Sequence, residues 1–185
     1  MSERLGSGRI MRPAIGWLLA FALGAAVGAF AAKKPGVGPA LYAGKPAPEA
    51  AEALLGAAKV LAEKGSWENI AVGRVYYLSG KKPEGQAIFD AVTGGKKVDP
   101  GDWMRIGRVY YEAGEWDKAR PAFDKVLQLK PDDEDWLAEV GAYYTLKGDR
   151  AKGEELFTRS FQREPNSLWN TLRAAAAYDK VLPPS

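Results

Sequence analysis

The chain has 185 residues with no cysteine and no histidine, 46% hydrophobic and 26% charged residues, and a formal charge of +3. The two absences exclude disulfides, thiol nucleophiles, thiolate metal sites, Ser-His-Asp triads and histidine-ligated zinc or haem, and the length suits one domain with at most a short appendage. Residues 1–46 hold six basic residues and one acid, leaving 20 bases against 22 acids after them, so the folded part lacks the basic footprint of a nucleic-acid binder.

Residues 1–32 read as a targeting segment. The run from Pro13 to Ala32 carries no charge, with Arg4, Arg9 and Arg12 before it and Lys33-Lys34 after it. At about 1.5 Å per residue it just spans a hydrocarbon core of about 30 Å. Positive charge on its short N-terminal side keeps that end cytoplasmic and directs the rest outward. The expected location is therefore the periplasm or cell envelope. Two forms remain open. Ala29-Phe30-Ala31 fits a signal-peptidase site, giving a soluble product cleaved near Ala31. The run is also longer than a usual signal core and is followed by two lysines, which suits an uncleaved inner-membrane anchor. Gly16, Ala20, Gly24, Gly28 and Ala32 recur at every fourth position, a stripe that lets membrane helices pack closely and that alanine/glycine-rich leaders also produce by chance.

Residues 33–47 hold three prolines and three glycines and read as a linker. Over 48–64, Ala51, Leu54, Leu55, Ala58 and Leu61 recur at helical spacing and predict a leading helix.

A 34-residue register begins next. Gly73-Arg74-Val75-Tyr76-Tyr77 recurs as Gly107-Arg108-Val109-Tyr110-Tyr111, and Gly141-Ala142-Tyr143-Tyr144 follows at the same offset. Gly80, Gly114 and Gly148 keep the spacing, as do Phe89, Phe123 and Phe157. In the second unit, Trp103-x2-Ile106-Gly107-x2-Tyr110, Ala119-x3-Phe123 and Pro131 follow one another. This pattern resembles the tetratricopeptide repeat (TPR) family. The resemblance implies an all-α solenoid of helical hairpins with repeats at about 66–99, 100–133 and 134–167. A cap helix at 168–182, with Ala175 in the glycine column, completes a domain spanning 48–182.

The residues suit that architecture. Gly73, Gly107 and Gly141 admit close helix approach, and Gly80, Gly114 and Gly148 suit the end of each first helix. Pro83 fits a helix start, and Asp117 is expected to cap the second helix of the middle unit. The tyrosine column Tyr76, Tyr110, Tyr144 and the phenylalanine column belong to the core. Asp132-Asp133-Glu134-Asp135 is an acidic run before a helix, where carboxylates complement the helix dipole better than they define a cation site.

No motif carries catalysis, and no cofactor or metal is expected. The resemblance implies that the first helices of the repeats line a groove for a partner protein or peptide. Carried onto this chain, the groove comprises Trp67, Arg74, Tyr77, Met104, Arg108, Tyr111, Glu112 and Thr145. Arg74 and Arg108 would meet an acidic or carboxylate-bearing segment, or instead pair with Glu68, Glu112 or Asp102. The expected function is a non-catalytic interaction scaffold in the envelope. The alternative is a membrane-organising protein that self-associates through residues 13–32, with no nucleic-acid partner in either case.

Overall fold

The computed structural model describes residues 36–95 and 98–184. The apolar run 13–32, with its stripe Gly16, Ala20, Gly24, Gly28 and Ala32 and its cleavage motif, lies outside the described residues. Among those described, no helix is long and apolar enough to cross a membrane.

The proline- and glycine-rich stretch before the repeats supports only a single 3-10 turn, Pro39–Leu41. Eight α-helices follow among the described residues: α1 (Ala47–Ala62), α2 (Ser66–Leu78), α3 (Lys82–Thr93), α4 (Pro100–Glu112), α5 (Trp116–Leu129), α6 (Glu134–Leu146), α7 (Arg150–Arg163) and α8 (Leu168–Tyr178). The pairs α2/α3, α4/α5 and α6/α7 pack as hairpins, α1 packs on α2, and α8 packs mainly on α6. The fold is an all-helical solenoid of three hairpins flanked by one helix at each end.

Each first helix stops by the same device. At Gly114 the backbone turns left-handed, φ 77°, and the Glu115 N–H reaches back 2.8 Å to the Tyr110 carbonyl. Gly80 and Gly148 repeat the geometry with φ 92° and 98°. A side chain there would strain the turn, so the sequence places glycine in all three units. The second helices begin less uniformly. Pro83 does sit at the start of α3. Asp117, expected as a cap, instead lies inside the first turn of α5. That helix resumes one residue after the glycine, so Glu115 occupies the cap position and its carboxylate is drawn to other partners. In the third unit Asp149 caps α7 by accepting from the Lys152 N–H.

The core runs between the helix layers. Phe89 and Phe123 are almost fully buried, and with Tyr77, Tyr110, Met104, Ile106, Val126, Leu137, Val140 and Leu156 they form one continuous cluster. Phe123 stacks on Tyr143 with centroids 4.6 Å apart. The phenylalanine of each second helix rests on the glycine of its own first helix. A methyl at Gly107 would stand 2.5 Å from Phe123 Cε1, with no open space to accept it.

The tyrosine column joins each hairpin to the preceding helix. The Tyr76 hydroxyl donates to Glu52 of α1 at 3.3 Å, Tyr110 shares a hydrogen bond with Gln86 of α3, Tyr144 donates to Asp124 of α5 at 2.5 Å, and Tyr178 donates to Glu154 of α7 at 3.0 Å. The register therefore extends one helix beyond the three units at each end. The acidic run is consumed structurally: Asp133 caps α6, Asp132 pairs with Arg163, and Asp135 pairs with Arg173.

Two glycine substitutions separate packing from propensity. Gly107→Ala is expected to destabilise the protein by about 1–3 kcal/mol, because Phe123 must leave its site. Gly56→Ala, on an exposed stretch of α1 with nothing within 4 Å of the added carbon, is expected to stabilise it by about 0.5–1 kcal/mol. Urea unfolding of both variants checks the opposite signs.

Candidate functional site

The first helices α2, α4 and α6 line a groove of about 620 Å³. From α2 come Trp67, Glu68, Ile70, Ala71 and Arg74. From α4 come Arg105, Arg108, Val109, Tyr111 and Glu112, and from α6 comes Tyr143. The C-terminal segment after α8 returns to this groove and places Leu182 and Pro183 on its wall. Pro183 is buried there.

Aromatic rings set the character of the site. Trp67 is 60% exposed, and the Arg105 guanidinium lies 3.7 Å from the centroid of its ring. That geometry is a cation–π contact that holds a flat, solvent-accessible surface in place. Tyr111 and Tyr143 meet edge to face at 5.0 Å. Burial pushes both phenols up, so they remain neutral at physiological pH.

The charges are largely spoken for. Arg74 grips Glu112 with both arms of its guanidinium, with Nε donating to Oε2 at 2.9 Å and Nη2 donating to Oε1. Arg108 donates from Nε to Glu139 Oε1 at 2.8 Å and from Nη2 to the same oxygen. Glu139 is only 1% exposed. Its burial pushes the carboxyl up even with Arg108 alongside to hold it down. Among the described residues, Arg105 and Glu68 are the charged groups of the groove that form no ion pair. Glu68, Arg74, Arg105, Arg108, Glu112 and Glu139 together bring equal positive and negative charge.

Five of the eight residues expected from the sequence, Trp67, Arg74, Arg108, Tyr111 and Glu112, line this groove. The other three do not. Tyr77 is 1% exposed, turned into the core against Phe89 and Tyr110. Its hydroxyl donates to Glu115 at 2.5 Å and accepts from Lys118 at 2.8 Å. Met104 is also 1% exposed and shares the core column of Ile70 and Ala138. Thr145 bonds its own helix, donating to the Gly141 carbonyl at 2.9 Å. Of the two alternatives for the arginines, internal pairing is the one observed: Arg74 holds Glu112, among the partners expected, and Arg108 holds Glu139, which was not among them.

Arg105, Tyr143 and the tail were missed. Arg105 stands 34 residues after Ala71, one turn before Arg108, so the register that placed Arg108 on the groove also placed Arg105 there. The tail gives no periodic signal.

A second depression of about 730 Å³ lies between α1, α2, α3 and the start of α4. It is bordered by Lys59, Lys64, Glu84, Asp99 and Asp102 and has no aromatic surface.

Stacked helical hairpins with a groove along their first helices define a repeat protein built for recognition. The tetratricopeptide repeat family model matches residues 100–133, the α4/α5 hairpin. The same hairpin repeats on either side of it, in keeping with an array of tetratricopeptide repeats. No curated protein matches it. Tetratricopeptide repeats generally mediate protein–protein interaction, typically without catalysis.

The junction that removes Tyr77 from the groove gives a pH prediction. Salt-bridging hydrogen bonds from Lys118 and then Lys82, with the Tyr77 hydroxyl, pull the Glu115 carboxyl from the ordinary 4.5 down to about 2. A lowered carboxyl contributes stability above its unfolded value and loses it as pH falls through the folded one. The stability advantage of the parent over Glu115→Gln is therefore expected to be constant above pH 5 and to shrink between about pH 4.5 and 2. Thermal melts across that range measure it.

Proposed function

We propose that the protein is a non-catalytic adaptor of the cell envelope that holds an extended peptide segment of a partner in the α2/α4/α6 groove. The observation that carries this reading is the groove itself. It combines an exposed tryptophan, two further aromatic rings and one unpaired guanidinium, with Arg74 and Arg108 each neutralised by a carboxylate. Such a surface favours an apolar segment, and a carboxylate on that segment would pair with Arg105, which is fixed over Trp67. The acidic-segment preference expected from Arg74 and Arg108 is thereby reassigned to Arg105.

The charge asymmetry of the chain supports export. The uncharged run 13–32 with arginines ahead of it suits delivery of the repeats across a membrane, and residues 33–46 suit a spacer between the two.

Selection of peptides from a random display library against the full chain tests the groove. Selected peptides are expected to lose at least about tenfold in affinity on Trp67→Ala, equivalent to about 1.4 kcal/mol. Those carrying a carboxylate are expected to lose a similar amount again on Arg105→Glu. Binding unaffected by either substitution places the interaction elsewhere. Intact-mass measurement of the protein from membrane and soluble fractions tests export. The expected result is either the full chain in membranes or a product beginning near Ala32 in the soluble envelope fraction. A full-length soluble cytoplasmic protein contradicts it.

A further inference from the structure

The C-terminal tail forms part of the groove wall. After Tyr178 the chain does not run off into solvent. Lys180 turns left-handed, φ 60°, and the Val181 N–H bonds the Ala176 carbonyl at 2.8 Å. This is the helix stop used at Gly80, Gly114 and Gly148, made here with a side chain present. A non-glycine residue in that conformation is strained by about 1–2 kcal/mol. The turn it makes sends Leu182 and Pro183 to the groove beside Trp67, Arg105 and Tyr143. Contact in the groove offsets the strain of the turn.

The chemistry of the segment suits its seat. Val181 to Pro184 carries no charge, and the charges of the groove without an ion pair, Arg105 and Glu68, are of opposite sign. Pro183 and Pro184 hold their own backbone, and proline biases the residue before it toward an extended form. Such a segment loses little conformational entropy when it lies on aromatic surface, which is how polyproline-type ligands are held. The tether is short, since only Asp179, Lys180 and Val181 separate α8 from Leu182. Connection through so few residues gives the tail an effective concentration in the millimolar range at its seat.

We propose that Leu182–Pro183 is an intramolecular ligand covering one side of the groove, and that the external partner presents an extended apolar segment with a leucine–proline step that binds by displacing it. The inference rests on the reading of the groove as a peptide site and deepens it by naming the ligand class and the competitor. The tail covers one side of the groove and leaves about 620 Å³ open beside it. Only a segment that outcompetes a tethered copy of the same chemistry gains the covered side.

The test uses the full chain and a synthetic peptide of residues 179–185 as the probe. Leu182→Asp with Pro183→Gly frees the groove; both positions follow the last helix, and a thermal melt of the variant checks that the fold is retained. Pro183→Gly alone serves as a milder second variant. Calorimetric titration is expected to show the peptide binding the freed variant about tenfold or more tighter than the parent, with Trp67→Ala in the freed background removing the binding. Equal affinity for parent and variant, or no binding to a variant whose melt matches the parent, overturns the proposal. The two readings fail separately. A library-selected peptide that binds parent and variant equally leaves the groove reading standing and overturns the tail. Tail-peptide binding to the variant with no selectable partner peptide supports the tail and removes the partner reading.

Discussion

A buried phenol needs a hydrogen-bond partner, and that requirement sets how each hairpin sits on the one before it. Tyr76, Tyr110 and Tyr144 occupy one column of the first helices, and each reaches a polar side chain on the helix that precedes its own hairpin; Tyr178 of α8, half-exposed, repeats the contact with α7. The ring fills the apolar seam while the hydroxyl reaches the acceptor. Burial pushes the phenols up, so the donor proton stays in place. With Tyr110 fixed this way, the residue one position on and the residue two before it, Tyr111 and Arg108, face the groove, while Gly107 faces α5. The groove is thus a by-product of a seam that the core requires.

The one irregularity in the column is instructive. The partners Glu52, Gln86 and Glu154 stand 24 residues before their tyrosines, and the residue in that place for Tyr144 is Arg120. A guanidinium cannot accept the phenolic proton. Tyr144 instead donates to Asp124, one turn further along α5. The seam survives because helix periodicity brings another acceptor within reach.

The repeat was legible because its signals are local and redundant. Glycines at φ near 77–98°, phenylalanines resting on glycines and tyrosines in the seam all recur at one spacing, so errors in one column are corrected by the others. The face of a single residue was less legible. Successive residues on a helix point about 100° apart, and reading Tyr77 and Met104 onto the groove misplaced each by a fraction of a turn. Arg105 was overlooked for the converse reason, since attention fell on the arginines inside the recurring string. The pairing of Arg74 with Glu112 and Arg108 with Glu139 depends on helices 31 to 38 residues apart, and the return of Leu182 to Trp67 on contacts more than a hundred residues apart. No pattern along the chain encodes such distances. The zeros in cysteine and histidine, by contrast, keep their meaning in the structure: aromatic seams and paired charges carry the cohesion among the described residues.

Arrays of repeats hold together through neighbours alone, so their ends ordinarily fray independently of their middles. The segment after α8 departs from that scheme. Leu182 and Pro183 line the same groove as Trp67 and Ala71 of α2, which brings the end of the chain to the side of the first hairpin. A ligand seated there would touch the first hairpin and the segment after the last helix at once. Binding would then couple the two ends of an array otherwise joined through neighbours.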